Sequence, residues 1–315
     1  HLNPIVARRF QQAQLERTKT DAIDAAALAR FAFEKRPAPS YIPDAAAEAL
    51  RELVRHRDRL QQDFEDRVLQ LHRLVDLGFP EFTRYVKGMH TMLATALLSE
   101  CPTAAAFART PPRRLAKLRY DGRHRVGEDL AERLVEAARR SVGQHHGPVY
   151  DLQVRHICQD LDLWRRRLKE LDSDIGGLLD AHEVGRLLTS IDGIGPNSAA
   201  RIIAIVGDPA RFRSAGAFAA YVGVVPALRQ SGKRTGTRAA TGFGNAKLRR
   251  ALWMTVLAAV RLNDWLRPFY ERLRAAGKPP KLALIAAMRK LLHAVYSVAK
   301  NRKPFVPITE QARAA

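Results

Sequence analysis

Two aspartates three residues apart are the first side chains along the chain that could do chemistry. In "RTKTDAIDAAALAR", residues 17–30, Asp21 and Asp24 follow a threonine and precede an alanine-rich run. If a helix begins near Thr20, positions i and i+3 share a face, so both carboxylates point the same way. Such a pair can ligate a hard divalent cation. These residues alone favour the simpler interpretation, in which they start and cap a helix.

The second candidate is Ser231, within the Gly-, Ser- and Thr-rich stretch "ALRQSGKRTGTR" at residues 227–238. We predict a loop here, and basic loops of this kind usually contact phosphates. Because Gly232 and two cations follow the serine, charge developing on its oxygen or on an attacked phosphate would be stabilised. An ordinary turn serine is the alternative, since serine is abundant in turns. The cations of the loop and of the next helix are Lys233, Arg234, Arg238, Lys247, Arg249 and Arg250.

The third pattern concerns the backbone. Residues 187–212, "LLTSIDGIGPNSAARIIAIVGDPARF", resemble a helix-hairpin-helix DNA-binding motif, with an apolar helix end, a tight turn and a second apolar helix. Gly193, Ile194 and Gly195 would bring the backbone close to a phosphate, and amides at the next helix N-terminus would bind the anion. This arrangement holds DNA regardless of base sequence. The alternative is a helix–helix turn used only for packing.

The composition favours a polyanionic partner. Lys and Arg number 53 against 32 Asp and Glu, which gives a formal net charge of +21 and favours nucleic acid. The 315 residues are 46% hydrophobic, enough for a substantial core in two or three domains. Cys101 and Cys158 have neither disulfide nor zinc spacing, so we expect small core residues in a reducing cytosol. The apolar runs fall short of the about 20 residues that span a bilayer, which predicts a cytoplasmic protein with no membrane partner.

The elements that position these residues are predicted to be mostly helices. One helix, at about residues 21–35, ends at the proline-rich "RPAPSYIP", where we expect a domain boundary. Two long helices with heptad patterns follow, and the simplest topology pairs them antiparallel with shorter helices as a tip. Their heptad residues are Leu50, Leu53, Leu60, Phe64, Leu71 and Leu74, then Ile157, Leu161, Trp164, Leu168, Leu171, Ile175 and Leu178.

The remaining C-terminal residues are predicted to form two core helices, at about 245–262 and 279–300. Four aromatic residues in this region are expected to pack rather than to stack on bases: Trp253, Trp265, Phe269 and Tyr270. The adjacent His145 and His146 are predicted to lie in a loop, since consecutive side chains point apart and no carboxylate or cysteine repeats nearby.

Together, several segments resemble the DEDD transposases of bacterial insertion sequences, the insertion sequence 110 family, which is related to Piv-type DNA invertases. They are "KTDAIDAAALA", "PTAAAF", "IDGIGPNSAARIIAIVGDPARFRSAGAFAAYVGVVP", "SGKRTG", "GNAKLRRAL" and "GKPPKLALIAAMRKLLHAVY". The resemblance implies a mostly α fold: the remnant of a RuvC-like (RNase H fold) α/β domain, an antiparallel coiled-coil region, and an α-helical transposase domain with a helix-hairpin-helix motif. The implied boundaries are residues 1–43, 44–181 and 182–315.

The resemblance also implies roles for individual residues. Asp21 and Asp24 match the third and fourth acids of the family, and Ser231 matches the serine of its Pro-x-x-x-x-Ser-Gly pattern, which begins here at Pro226. The carboxylates would hold a Mg²⁺ ion, or a pair about 4 Å apart. The serine would attack DNA and hold it covalently during strand exchange. A structured guide RNA, a homo-oligomer and association with the bacterial nucleoid are further expectations.

In one respect the chain departs from the family pattern. The first Asp and the Glu of the family would lie upstream of His1, and residues 1–36 cannot form an RNase H sheet by themselves. We therefore expect an N-terminally truncated transposase that lacks two of the four acids, and whether it is an enzyme stays open at this point.

Two other classes of function stay open as well. A non-catalytic DNA- or RNA-binding protein would use only the helix-hairpin-helix and the basic loop, and would bind without strand transfer. A helical oligomerisation protein would tolerate charge reversal at Lys233, Arg234 and Arg238. The concentration of cations around Ser231 argues against a pure scaffold.

Overall fold

The computed structural model describes the backbone of residues 4–13, 20–37, 42–231, 234–238 and 244–307, and the side chains of 6–13, 20–37, 42–226 and 244–307. This part of the chain is mostly helical, as predicted, and it divides into two compact units, His1–Ala45 and Ala46–Ala315. The predicted boundary between residues 181 and 182 stays a prediction.

The bounds of the helices and strands follow the chain in order. They are α1 Pro4–Ala13, α2 Asp21–Lys35, α3 Ala45–Gly78, α4 Phe82–Tyr85, α5 Met92–Glu100, α6 Ala104–Arg109, α7 Pro112–Ala116, α8 Glu128–Arg139, α9 Pro148–Ala181, α10 Glu183–Leu188, α11 Pro196–Val206, a 3₁₀ turn Pro209–Arg211, α12 Ala215–Val222, β1 Ala227–Ser231, β2 Arg234–Arg238, α13 Ala246–Leu262, α14 Arg267–Ala275 and α15 Pro280–Asn301.

The first unit contains α1 and α2. Helix α2 begins at Asp21 because the Thr20 hydroxyl caps it, accepting the Ile23 amide at 3.3 Å. The rings of Phe10 and Phe31 meet edge-to-face with centroids 5.3 Å apart, which packs the two helices together.

In the second unit, the long helices α3 and α9 run antiparallel. Arg57 pairs with Asp172 at 2.8 Å, and Arg67 pairs with Asp160 at 3.1 Å. The residue numbers of the partners thus increase along α3 while they decrease along α9. The Arg67 guanidinium also lies 5.7 Å from the centroid of the Trp164 ring. Arg57 and Arg67 occupy heptad positions of α3 that would otherwise be apolar. Each is matched by an acid on α9, which accounts for charge in this contact.

Burial follows the heptad pattern until the end of α9. Leu161, Leu168 and Ile175 are buried, whereas Leu178 is 39% exposed and its neighbour Leu179 is fully buried. The heptad prediction was wrong at Leu178 because α10 packs against α9 there. A Cβ on Gly185 of α10 would lie 2.5 Å from Leu179 Cδ1, so the inward position moves by one residue.

The middle helices α4–α8 share a core with one end of the α3–α9 pair. At its centre the rings of Phe79, Phe82 and Phe107 have centroids 5.3–5.9 Å apart. Cys101 and Cys158 are buried free thiols in this core, which confirms their prediction as core residues. The segment that holds His145 and His146 is irregular and exposed, as predicted.

The other end of the α3–α9 pair joins a second core, built by α10–α15. Helix α15 packs on α10, α12, α13 and α14. It is long and apolar enough to cross a membrane, but 56% of its apolar window is buried inside the protein, as in the core helix of a globular protein. The aromatic residues at 253, 265, 269 and 270 pack against this core, which confirms their predicted role.

Helices α12 and α14 and strands β1 and β2 of this region were not predicted. Helix α14 is only nine residues long and has no fully buried residue, although Phe269 and Tyr270 pack against the second core. The stretch predicted as a loop contains the antiparallel pair β1 and β2, whose register runs from Ala227 opposite Arg238 to Ser231 opposite Arg234. A two-residue connection that begins with glycine is typical of tight hairpins, and this signal in "SGKR" could have predicted the strands.

The turn between α10 and α11 packs tightly on α13. Gly193 has φ +90°, and a Cβ there would lie 2.6 Å from the Ala259 Cα. The Asn263 side-chain amide donates to the Asp192 carbonyl, and the Ser198 and Thr255 hydroxyls are 2.7 Å apart. Glycine at 193 is therefore required by both backbone conformation and space.

Replacement of Gly193 by alanine should lower the free energy of unfolding by about 2 kcal/mol or more, because the methyl group meets backbone atoms at a positive φ. The matched control is Gly195→Ala: φ there is −78° and a Cβ would meet nothing within 4 Å. Urea midpoints of the helical signal measure both. Equal midpoints for the two variants would contradict the packing role of Gly193.

Burial raises the pKa of the Cys158 thiol to about 12 and also raises that of Cys101. We therefore expect both thiols to resist a thiolate-specific reagent in the folded protein, since the thiolate is the reactive form. Titration with such a reagent, with and without denaturant, checks this. Rapid modification of Cys158 in the native chain would show that the α5–α9 contact is open.

Candidate nucleic-acid interface

The two predicted metal ligands lie in the first turn of α2. Asp21 is exposed and Asp24 is half-buried. Asp24 Oδ1 accepts a hydrogen bond from Gln11 Nε2 at 2.8 Å, which ties the carboxylate to α1. The capping interpretation holds for Thr20, whose hydroxyl supplies the cap, while the aspartates add negative charge at the positive end of the helix.

As donors, these residues suit a hard cation. Two carboxylates one helical turn apart, with the Gln11 side chain beside one of them, offer oxygen atoms of the kind that Mg²⁺ prefers. Among the residues that the structure describes, no group of three His, Cys, Asp or Glu side chains comes together. Asp21 and Asp24 thus fit as part of a ligand set.

The helix-hairpin-helix turn is narrower as a binding surface than predicted. Ile194 is 2% exposed and its amide donates to the Ile191 carbonyl at 2.9 Å, so neither side chain nor amide reaches a ligand. Gly193 faces Ala259. Gly195, by contrast, is exposed and borders open space at the start of the 11-residue helix α11. The part of the turn that suits a phosphate is therefore Gly195 with the α11 N-terminus.

The predicted cations at the start of α13 have different environments. Lys247 and Arg250 are exposed. Arg249 is half-buried, and its guanidinium donates to the Val222 carbonyl at the end of α12 at 2.9 Å. Arg249 therefore braces α13 against α12. Of these three cations, Lys247 and Arg250 are the ones that are fully presented to solvent.

The start of α13 is itself fixed by local contacts. The Asn245 side chain caps the helix by accepting the Leu248 amide at 3.0 Å, and its backbone amide donates to the Tyr221 carbonyl at 2.8 Å. Gly244 has φ +106°, and a Cβ there would lie 2.6 Å from Gly223. These contacts hold the first, cationic turn of α13 to the end of α12.

Ser231 is the last residue of β1, and its register partner on β2 is Arg234; Arg238 ends the same strand. The backbone thus brings the predicted nucleophile and one predicted cation together. The side chains of residues 227–243 lie outside the described residues, as does Lys233 entirely.

The predicted surface divides into two parts along α13. The α10–α11 turn contacts Ala259, nine residues from Arg250, or about 14 Å along the helix. Arg261, two residues beyond Ala259, is exposed but lies on the opposite face of α13 from the turn, so it adds no cation beside Gly193. A separation of about 14 Å corresponds to roughly four phosphates along one DNA strand.

Two family models match the chain. The transposase family described as IS116/IS110/IS902 matches residues 185–271, and the IS110-type DEDD transposase model matches residues 1–80. The first match contains the α10–α11 turn, the strand hairpin with Ser231 and the cations of α13. The second contains Asp21 and Asp24.

Relatives are found among insertion elements and DNA invertases. An insertion element IS116 protein of 44.8 kDa from Streptomyces clavuligerus is 29% identical over 299 residues, 92% of this chain and 73% of that protein. An insertion element IS110 protein from Streptomyces coelicolor is 27% identical over 208 residues, 66% and 51% of the two chains. The pilin gene-inverting protein of Moraxella lacunata is 32% identical over 148 residues, 45% and 46%. The chain belongs to the IS116/IS110/IS902 family of transposases.

Proposed function

We propose that this chain takes part in metal-dependent cleavage and exchange of DNA strands for a bacterial insertion sequence, with Ser231 as the nucleophile. Family membership supports the broader role of a DNA transposase or recombinase. The observation that carries the finer proposal is the position of Ser231. It ends β1 opposite Arg234, at the tip of a hairpin that precedes the exposed cations of α13.

The proposed chemistry is a transesterification. Attack by Ser231 Oγ on a DNA phosphorus forms a serine–phosphate bond and breaks one bridging P–O bond. The serine loses its proton to solvent, and the departing deoxyribose oxygen gains one. Attack by a free hydroxyl of another strand then reverses the step and releases the serine. Nearby cations favour both steps because they offset the charge that develops on the phosphate.

In this proposal Asp21 and Asp24 contribute to a Mg²⁺ site. When bound, the ion would polarise the scissile phosphate. The chain's own residues orient the ligands: the Thr20 cap fixes the first turn of α2, and the Gln11 amide holds Asp24. A RuvC-like origin of residues 1–43 belongs to the same proposal.

DNA would be held at Gly195 and at the exposed cations Lys247 and Arg250. A structured guide RNA and association with the nucleoid are consistent with the net charge of +21. A homo-oligomer, formed through a coiled coil of α3 and α9, is supported by apolar side chains that these helices expose: Leu69, Leu152 and Leu163.

The DNA contact predicts a specific loss. The double variant Lys247→Glu with Arg250→Glu should bind duplex DNA about tenfold more weakly. The slope of log affinity against log salt concentration should become shallower by an amount that corresponds to about two phosphate contacts. Fluorescence anisotropy of a labelled duplex at several salt concentrations measures both quantities.

The matched control is Arg139→Glu with Arg140→Glu, at the exposed end of α8. It changes the net charge by the same amount, so it reports the general electrostatic effect. If the control weakens duplex binding as much as the α13 variant does, the proposed contact on α13 is wrong.

The nucleophile predicts a covalent adduct. With Mg²⁺ and supercoiled DNA that carries the ends of the element, the parent chain and the control Ser297→Ala should yield a denaturant-resistant protein–DNA adduct. Ser231→Ala should yield none while it still binds DNA, because only the attacking oxygen is lost. Gel mobility after proteolysis of the adduct measures the yield.

A second candidate function is non-catalytic nucleic-acid binding. It is favoured by the contact of Asp24 with Gln11 and by the placement of both acids in a capped helical turn, which already gives them a structural use. An adduct that persists in Ser231→Ala would reject the serine assignment. DNA binding without an adduct in the parent chain would favour the second candidate.

A further inference from the structure

A second basic surface lies in the middle region, on the core formed by α4–α8. Residues 109–125, "RTPPRRLAKLRYDGRHR", contain seven Arg and Lys residues and one acid. Six of the seven cations form no ion pair with the residues that the structure describes, and the exception is Arg114, which pairs with Glu100. Such local excess of positive charge attracts a polyanion.

Three of these cations, Arg119, Arg123 and Arg125, stand on a defined hairpin, residues 118–126, which we call the basic hairpin. Arg119 and Arg125 form a backbone bridge, and the Val126 amide donates to the Leu118 carbonyl at 3.0 Å. Val126 is buried against the α4–α8 core, which anchors the hairpin. Arg119, Arg123 and Arg125 are exposed on it. A fixed backbone keeps their spacing, so less entropy is lost when a ligand binds.

The one acid of the hairpin is committed to its turn. Asp121 Oδ1 accepts the amides of His124 at 2.7 Å and of Arg123 at 2.9 Å, and its other oxygen contacts the His124 ring at 2.6 Å. These hydrogen bonds, those from His124 foremost, hold the pKa of the carboxyl well below its ordinary range. Asp121 therefore orders the turn without pairing with an arginine. The Arg119 guanidinium donates one hydrogen bond to the Gly122 carbonyl at 3.2 Å and keeps its other N–H groups for a ligand, as do the other two arginines of the hairpin.

An aromatic cavity opens beside the basic hairpin. It has a volume of about 630 Å³ and is lined by Tyr85, Lys87, His90, Met92, Tyr120 and Arg165, among others. Tyr120 belongs to both features, and its ring stacks on that of His124 with an interplanar angle of 20° and centroids 6.0 Å apart. The volume lies within the range of sites for small ligands, about 300–1,000 Å³.

We propose that the basic hairpin and this cavity form a second nucleic-acid-binding surface, which takes a single-stranded segment. Its phosphates would contact Arg119, Arg123 and Arg125, and a base would enter the cavity against Tyr120. Aromatic rings beside a cationic track are the means by which proteins hold unpaired strands, because every base has a stacking face, whereas the bases of a duplex are not available.

The surface is separate from the one on α11 and α13. Arg165 at the cavity and Leu179 at the second core lie 14 residues apart on α9, or about 21 Å. The proposal therefore goes beyond the transposase function and does not depend on strand cleavage. DNA and RNA share the chemistry invoked, so the test separates them.

The test uses the full chain and three labelled probes: an oligothymidine and an oligouridine of about 12 nucleotides, and a duplex. Arg123→Glu with Arg125→Glu should bind both single strands about tenfold more weakly than the control Arg139→Glu with Arg140→Glu, and should bind the duplex nearly as the control does. The α13 double variant should show the opposite pattern. Tighter binding of oligouridine than of oligothymidine by the parent chain would identify RNA as the natural strand.

Stacking is tested separately from charge. Tyr120→Ala should weaken single-strand binding about tenfold, whereas Tyr120→Phe, which keeps the ring, should not. Ultraviolet cross-linking of 4-thiouridine in the probe should label Tyr120 or Tyr85. The proposal is overturned if the hairpin double variant binds single strands as tightly as the control, or if the alanine and phenylalanine variants bind alike. Circular dichroism verifies that each variant is folded.

Discussion

The second unit of this protein depends on the antiparallel contact between α3 and α9. Each helix is 34 residues long and contributes to two different hydrophobic cores, one at each end. Between the cores the contact is maintained by apolar heptad residues and by Arg57 and Arg67, each paired with an aspartate. The chain between α3 and α9 belongs entirely to the middle region. The two cores are therefore joined through α3 and α9, and these helices fix the position of one core relative to the other.

Around the second core, close backbone approaches decide what is presented to solvent. Gly193 lets the α10–α11 turn contact α13, and Gly244, just before α13, lets the chain contact Gly223 at the end of α12. The result is that Ile194 and Arg249 are used for packing and bracing, while Gly195, Lys247 and Arg250 stay accessible. Within this one turn, Gly193 and Ile194 are used for packing, and the proposed phosphate contact falls on Gly195.

Much of this arrangement follows from sequence periodicity. The spacing of leucines predicts α3 and α9, and Thr20 predicts the start of α2, because heptads and caps are local signals. Periodicity does not reveal that Leu179 replaces Leu178 on the inner face, since this depends on α10 from elsewhere in the chain. The same holds for Arg249: nothing local distinguishes it from Arg250, and only the carbonyl of Val222 decides its role. The basic hairpin was missed because its pattern is short and its ordering rests on one side chain, Asp121.

The continuity of α9 has a mechanical consequence. A helix of 34 residues is a rod about 51 Å long, with one end in each core. With one end held, a tilt of about 10° displaces the far end by roughly 9 Å, since the helix is too stiff to absorb the rotation along its length. Because α9 joins the two cores as one rod, a small tilt at one core would reach the other core as a displacement of several ångströms.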